Sequence, residues 1–211
     1  MGILDSGPLG PFRKKLGPAI GRQHMGQNLL IPLYRKTKKP SSESQLLQRK
    51  KFAILGSFIS SLKSLINPGF KAYAKKQSAS NAAFSYNFGS AFLTDGEEPV
   101  LNYSKILCSR GQITTPNGLE ISSTDQAVNF SWASEPQSRY CQFTDIASFV
   151  IYNPALEKFL IQNNVAKRQD LTFDMQVPAN FSGHEVHCWM VFASADGKTR
   201  GDSKYAGMVT C

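Results

Sequence analysis

The clearest hydrophobic pattern in the chain is a helical one, which begins after Pro40. Ser42 and Gln45 there have the spacing of a capping box, and Asn67-Pro68-Gly69 is a helix stop signal. Between these signals the apolar residues recur at intervals of three and four: Leu47, Ile54, Leu55, Phe58, Leu62, Leu65 and Ile66. The pattern predicts an amphipathic helix over residues 42–66, with its apolar face in the core.

A weaker helical pattern follows this segment. The stretch 70–74 has the spacing of a single helical turn, and Ser80 is a candidate N-cap for a short helix. That helix would carry Ala83, Phe84 and Phe88 on its apolar side. We therefore expect one long and one short helix between residues 41 and 95.

From residue 96 onward the period changes to two, which is typical of β-strands with one buried face. One strand places Val128, Phe130 and Trp132 on the same side, and a later strand places four side chains on the same side: Val186, Cys188, Met190 and Phe192. The candidate strands are 101–108, 118–123, 127–132, 146–152, 158–162, 171–177, 186–193 and 203–210. Turn signals separate them, including Asn163-Asn164 and Asp196-Gly197. Strands at this spacing predict a β-sandwich.

The first 40 residues show neither period for long. Glycines and prolines interrupt the segment too often for a helix. Two short apolar stretches, "LGPAIG" and "NLLIPLY", are candidate strands of a loose hairpin. The overall prediction is an α+β protein: an extended, glycine-rich basic arm over 1–40 that could form a β-hairpin, helices over 41–95, and an antiparallel β-sandwich over 96–211.

Charge divides the chain unevenly. The formal net charge is +9, but residues 1–76 carry 15 Lys and Arg against two acidic residues, whereas residues 77–211 carry 9 against 13. A basic segment of this kind suits phosphate groups, anionic lipid or an acidic neighbouring subunit. The candidate polyanion or subunit contacts are Arg13, Lys14, Lys15, Arg22, Arg35, Lys36, Lys38, Lys39, Arg49, Lys50 and Lys51.

Motifs of known chemistry are missing from the sequence. It has no P-loop, no GxSxG, no HExxH and no GxGxxG after a strand. In "HEVHC" the two histidines are three residues apart, so on a strand they would face opposite sides and could not share a metal ion. Cys108, Cys141, Cys188 and Cys211 form no CxxC pair, and we expect free, mostly buried thiols. The sequence predicts no catalytic residue, no metal and no cofactor.

Two resemblances extend this interpretation. Trp132, the segment "LTFDMQVPANFSGHEVHCWMVFAS" and the hairpin at Asp196-Gly197 resemble a fibronectin type III or immunoglobulin-like sandwich over residues 100–211. Residues 11–211 also resemble a Bacteroidota family known as a domain of unknown function, through "FRKKLGPAIG", "QRKKFAILGSFISSLKSLINPGFKAYA", "SNAAFSYN", "YSKILCSRG" and "FSGHEVHCWMVFASADGKTRGDSKYAGMV". Its members usually have an aromatic residue near "RQHMGQ", where this chain has His24. That resemblance implies no activity.

These features favour a non-enzymatic structural protein that assembles with itself into a filament or a phage or virion-type particle. Extended arms link subunits by adding a strand to a neighbour's sheet. The arm residues expected to do so are Leu16, Ile20, Leu29, Leu30, Ile31, Leu33 and Tyr34.

Two alternatives from other classes stay open. One is a nucleic-acid-binding protein without sequence specificity that uses the basic segment. The other is an adhesion or carbohydrate-binding module. The expected partner is a second copy of the chain, with nucleic acid as the other partner class, whereas a membrane and a small-molecule substrate are not expected. We expect no Sec signal peptide, and a location in the cytoplasm or in a particle or filament released by another route.

Overall fold

The computed structural model describes residues 13–24, 26–34, 40–93, 98–124 and 126–211, and the backbone of residues 2–3. The chain divides into two compact units, Met1–Leu46 and Leu47–Cys211. Within the described residues, the first unit contains a small β-sheet and the first turn of a helix, whereas the second contains the rest of that helix, two further α-helices and seven strands. The mixed α+β class predicted from the sequence is confirmed.

The small sheet of the first unit, here called the N-terminal sheet, has four antiparallel strands in the order β1-β4-β3-β2. The strands are β1 (Gly2–Ile3), β2 (Lys14–Leu16), β3 (Ala19–His24) and β4 (Gln27–Pro32). β3 and β4 form the hairpin that the sequence predicts, with His24 opposite Gln27. The sheet is larger than predicted because β2 and β1 extend it on either side.

Helix α1 (Glu43–Ser61) begins with the predicted capping box. The hydroxyl of Ser42 accepts a hydrogen bond from the Gln45 amide at 3.4 Å, and the Gln45 side chain accepts one from the Ser42 amide at 3.3 Å. Leu55, Phe58 and Ile59 form the buried face of the helix. The predicted apolar stripe is therefore correct in its C-terminal part, whereas Leu47 is 37% exposed.

The predicted single helix over 42–66 is wrong in two respects. The chain leaves helical geometry at Leu62, and a second helix, α2 (Lys63–Gly69), runs through the expected stop signal at Pro68. The helix ends one residue after Pro68, so the missing proline amide affects its final turn alone, and the Phe70 amide still bonds the Ile66 carbonyl at 2.8 Å. Gly69 allows close approach of the next segment, because a Cβ there would lie 2.7 Å from the hydroxyl of Ser109.

The short helix α3 (Ala79–Asn87) is present, but its cap was predicted two residues too late. The hydroxyl of Ser78, not of Ser80, accepts the hydrogen bond from the Asn81 amide at 3.2 Å. Before it, residues Lys71–Tyr73 form one turn of 3-10 helix, as the spacing at 70–74 suggests.

The strand predicted over 101–108 is a loop with one 3-10 turn, Tyr103–Lys105. Its alternation of apolar residues reflects side chains that pack into the core, and its backbone pairs only in an isolated bridge between Phe92 and Leu101. Polar side chains bind this backbone instead: buried Asn87 bonds both the amide and the carbonyl of Leu107, and the Ser203 hydroxyl accepts from the Cys108 amide.

The other seven predicted strands are confirmed. They are β5 (Glu120–Thr124), β6 (Ala127–Ser131), β7 (Ile146–Asn153), β8 (Lys158–Lys167), β9 (Thr172–Gln176), β10 (Glu185–Ala193) and β11 (Lys204–Thr210). β8 is five residues longer than predicted, because Asn163-Asn164 is not a turn. Asn164 takes a positive φ of 58° in an irregularity of the pairing, and the strand continues beyond it.

These strands form two antiparallel sheets with the orders β11-β10-β7-β8 and β5-β6-β9. Taken in chain order, the seven strands match those of a constant-type immunoglobulin domain, except that the fourth strand lies beside the third rather than the fifth. Their inner faces share one apolar cluster, which contains Phe130 and Trp132 from one sheet and Phe149, Cys188 and Phe192 from the other. The immunoglobulin-like sandwich predicted for the C-terminal part is therefore present.

A second apolar cluster lies on the opposite face of the four-stranded sheet. Val150, Tyr152, Trp189 and Val191 project from that face against buried residues of the helices, such as Phe58. The unit Leu47–Cys211 thus has three layers: helices, the four-stranded sheet and the three-stranded sheet. β7 and β10 are buried on both faces, which explains their nearly continuous apolar sequences.

Candidate functional site

The N-terminal sheet carries apolar side chains on both of its faces. Residues directly opposite each other in an antiparallel pair project to the same side. The register therefore places one group of residues together on one face: Lys15, Ile20, Arg22, Leu29 and Ile31. It places another group on the other face: Leu16, Ala19, Gln23, Leu30 and Pro32.

Most of these apolar side chains remain partly or fully exposed to solvent. Among the described residues of the first unit, Leu29 is the one buried hydrophobic side chain, at 7% exposure. Leu16 is 53% exposed and Tyr34 is 82% exposed. Small sheets need a hydrophobic face that is packed against something to be stable. The seven predicted assembly residues are thus brought together in one small sheet and the two residues that follow it. Leu16, Leu33 and Tyr34 are exposed, and Ile20, Leu30 and Ile31 are partly buried.

Basic residues line one edge of this sheet. Arg13, Lys14, Lys15 and Arg22 are all exposed on β2, β3 and the residue before β2. Within the described part of the chain, no carboxylate forms an ion pair with any of them. We call Arg13 and the strand Lys14–Leu16 the basic edge.

The remaining predicted basic contacts do not belong to this edge. Arg35, Lys36, Lys38 and Lys39 lie outside the described residues. Arg49, Lys50 and Lys51 lie on α1, in the second unit. There Lys50 forms an ion pair of 2.6 Å with Glu98, and the Lys51 ammonium lies 5.4 Å from the centre of the Phe92 ring.

The outer face of the three-stranded sheet has the opposite character. Its register aligns Glu120, Ser122 and Thr124 of β5 with Thr172, Asp174 and Gln176 of β9, and all six are exposed. None of these positions is lysine or arginine. β9 is also an edge strand, so one side of its backbone lies open for pairing. We call this surface, together with exposed Asp170 just before β9, the acidic face.

The second unit also contains an aromatic groove that the sequence did not indicate. The groove has a volume of about 750 Å³ and lies between α1 and α3. The Phe52 and Phe84 rings are 4.2 Å apart between centroids, and Phe52 is 59% exposed. Phe52 is not among the residues of the apolar stripe predicted for α1. The other wall of the groove is formed by α3, where Phe84 lies more than 30 residues after Phe52. No local pattern in α1 could therefore indicate the groove.

The two histidines of "HEVHC" have different partners, as their spacing suggested. His184 precedes β10 and its Nδ1 lies 3.0 Å from the Asn153 amide nitrogen. His187 lies within β10, bonds the Tyr205 hydroxyl at 2.7 Å and stacks against Tyr103 at 4.0 Å. Across the described ranges, no three metal-ligating side chains cluster.

Burial keeps the groups around His187 uncharged. It lowers the pKa of His187, and it raises the pKa of Tyr103, Tyr205 and Tyr152, the last to about 12. The Nε1 of Trp189, in the same cluster, is buried without a hydrogen-bond partner. Neutral groups in a packed core of this kind stabilise the junction between sheet and helices rather than carry protons.

The four cysteines are free thiols, as predicted, and three of them are buried. Burial raises the pKa of Cys108 to about 12 and raises that of Cys188 as well. Since the thiolate is the reactive form, these side chains are poor nucleophiles.

Comparison with known families identifies the chain. The model of the family of unknown function DUF6266 matches residues 11–207. The chain belongs to the DUF6266 family. This confirms the resemblance to an uncharacterised domain family, and the match includes β2, β3 and β4 of the N-terminal sheet and most of the sandwich. No curated protein sequence matches the chain. In the part of this DUF6266 member that the structure describes, none of the helices has the length and apolar character needed to cross a membrane.

Proposed function

We propose that this DUF6266 protein is a non-enzymatic structural subunit that assembles with copies of itself through its N-terminal sheet. The observation that carries the proposal is the contrast between apolar content and burial in that sheet. Both faces carry aliphatic side chains, yet Leu29 alone is buried among the hydrophobic residues described there. A surface on a neighbouring subunit would cover the rest.

The charges indicate which surface that is. The basic edge has three consecutive cations, Arg13, Lys14 and Lys15, and the acidic face has Glu120, Asp170 and Asp174 without a lysine or arginine on its strands. Strand β2 of one copy would add to the open edge of β9 in the next. Two other edge strands of the second unit, β8 and β11, are less suitable, because β8 begins and ends with Lys158 and Lys167 and β11 begins with Lys204.

The contact joins two different surfaces, so it is heterologous and can propagate into a ring or filament. Each ion pair between such exposed groups contributes only about 0–1 kcal/mol. Most of the affinity would therefore come from backbone pairing and apolar burial, with the charges selecting the partner edge. Screening at about 1 M salt, where the Debye length is about 3 Å, would weaken that selection.

The experiment compares the full chain with a variant that starts at Ser41. This truncation keeps the capping box of α1, because Ser42 and Gln45 are both retained. Each protein is freed of nucleic acid in high salt, returned to low salt, and examined by negative-stain electron microscopy and light scattering. Regular particles or filaments from the full chain and monomers from the truncated chain would support the proposal. Equal behaviour of the two proteins would contradict it.

Sequence-nonspecific nucleic-acid binding is a second candidate, favoured by the exposed cations Arg13, Lys14, Lys15 and Arg22, which form no ion pair within the described residues. Phosphate contacts of this kind would make the affinity fall steeply with salt. Base stacking would be limited, because Tyr34 is the one aromatic side chain described in the first unit. Salt-sensitive binding of a single-stranded oligonucleotide by the full chain and not by the truncated one would favour this candidate.

A further inference from the structure

A basic pocket lies in the second unit, and none of the residues that the proposed function uses lines it. Its volume is about 590 Å³, and it forms where the 3-10 turn Lys71–Tyr73, the segment 110–112 and the loop 196–200 meet. Four cations line it: Lys71, Arg110, Lys198 and Arg200. Asp196 is the one acidic residue among those lining residues, and its carboxylate already pairs with Lys198 at 3.6 Å.

Arg110 is held in place by two tyrosines. Its guanidinium carbon lies 4.3 Å from the centre of the Tyr73 ring and 4.4 Å from the centre of the Tyr86 ring. Stacking on aromatic faces fixes the plane of the guanidinium but does not use its N–H donors, which point outward in that plane. No carboxylate among the described residues pairs with Arg110. The side chain therefore presents a fixed, uncompensated charge.

Arg200 supplies a second fixed donor. Its backbone carbonyl accepts hydrogen bonds from the amides of Gln112 and Ile113 at 2.8 and 3.2 Å. This close approach requires glycine at position 111, because a Cβ there would lie well inside contact distance of the Arg200 carbonyl oxygen. The Nε of Arg200 is buried and has no hydrogen-bond partner among the described residues. Buried donors are nearly always paired, so this one indicates a missing acceptor.

We propose that this pocket binds an oxyanion of the phosphate type, with Arg110 and Arg200 as its two main donors. Arginine suits such a ligand because its N–H groups match phosphate oxygens two at a time. Lys71 and Lys198 add charge at the rim, where they attract an anion without fixing its orientation. The ligand is a free phosphate or a terminal phosphate of a larger molecule, and these share the same chemistry.

The test is isothermal titration calorimetry of the full chain with inorganic phosphate and with pyrophosphate. Sodium chloride at matched ionic strength serves as the blank. Arg200→Met and Arg110→Met each keep an apolar stem but remove the donors. Arg139→Met is the control, because the Arg139 guanidinium also lies over a tyrosine ring, Tyr140, at 5.5 Å, but outside the pocket. Thermal unfolding of each variant checks that it folds, and Lys71→Met with Lys198→Met replaces any variant that does not.

We expect saturable binding that weakens at least about tenfold in the two arginine variants and stays unchanged in Arg139→Met, since hydrogen bonds to charged groups are among the strongest. A decathymidylate with and without a 5′-phosphate distinguishes the two sources. Binding that requires the terminal phosphate assigns the pocket to a larger ligand, and preference for the free ions assigns it to a small one. Absence of saturable binding of all these probes, or equal binding by every variant, would overturn the proposal. Neither result bears on assembly, because the pocket contains no residue of the basic edge or the acidic face.

Discussion

The two units of this protein differ in how they satisfy their apolar side chains. In Leu47–Cys211, β7 and β10 lie between helices on one side and a second sheet on the other, so their side chains are buried on both faces. In Met1–Leu46, the described strands carry Ile20, Leu30 and Ile31, which are only partly buried, and Leu16, which is exposed. The larger unit has what it needs to fold alone. The smaller unit resembles one side of a subunit interface. We therefore expect mutations in the larger unit to change stability and mutations in the smaller unit to change association.

The largest difference between the two units should appear when one apolar side chain in each is replaced by alanine. Phe149 lies in the sandwich core, stacked 4.7 Å from Phe173 and 4.7 Å from Phe130. Phe149→Ala should lower the free energy of unfolding by about 3–5 kcal/mol in urea titrations. Leu30→Ala should change that transition by less than about 0.5 kcal/mol and reduce light scattering from assemblies instead. Similar losses of stability from both variants would mean that the units fold as one.

Breaking a buried ion pair should have a slightly smaller effect, again confined to the larger unit. Arg168 is 2% exposed and contacts Glu135 at 3.1 Å, Asp145 at 3.2 Å and the Thr114 carbonyl at 2.7 Å. Arg168→Met would leave two carboxylates uncompensated, at a cost of about 3 kcal/mol. Circular dichroism during urea unfolding measures the loss. A variant as stable as the parent would show that these carboxylates are solvated.

A third variant tests the polar link between the helices and the sandwich. Asn87 is fully buried, and its side chain satisfies the amide and the carbonyl of Leu107 at 2.8 and 2.9 Å. Asn87→Ala would leave both groups unpaired and should cost about 1–3 kcal/mol. Amide hydrogen exchange should show the first loss of protection around residues 103–108. Unchanged protection there would contradict the role assigned to Asn87.

The smallest predicted effect is a pH dependence. Because burial lowers the folded-state pKa of His187 below its ordinary value near 6.5, the unfolded chain takes up the proton more readily. The larger unit should therefore lose stability as the pH falls from about 7 to 5. His187→Gln should make this decline shallower, as measured by urea titrations at each pH. Glu185, whose charge partly offsets the lowering of the His187 pKa, is unchanged in this variant. An equal slope in both proteins would rule out His187 as the cause.

Much of the larger unit could be predicted from the sequence, because its strands show clear alternation. Val128, Phe130 and Trp132 share a face as expected. Position 189 shows the limit of that reasoning: alternation assigned one face of β10 to the core, but Trp189 on the other face is buried too, under helices more than 100 residues earlier in the chain. The uninterrupted run "CWMVFA" was the available signal, since burial on both faces removes alternation.

The candidate sites differed in how far the sequence could predict them. Apolar and basic residues of the N-terminal sheet are close in sequence, so their grouping was visible. The basic pocket joins Tyr73, Tyr86, Arg110 and Arg200, which no local pattern connects. Likewise, the acidic face arises only when β5, β6 and β9 pair. Sites made by tertiary contacts between distant polar residues leave no periodic trace in the chain.

The most direct test of the central claim is a charge exchange between the basic edge and the acidic face. One variant carries Lys14→Glu and Lys15→Glu, a second carries Thr172→Lys and Asp174→Lys, and a third carries all four changes. The control carries Glu185→Lys and Thr210→Lys. These two residues are exposed, as Thr172 and Asp174 are, but they lie on a different sheet, where they are opposite each other on β10 and β11. Light scattering at low salt should show assembly of the parent, the control and the fourfold variant, and little assembly of either double variant. If the fourfold variant failed to recover assembly while folding normally, the proposed pairing of β2 with β9 would be wrong.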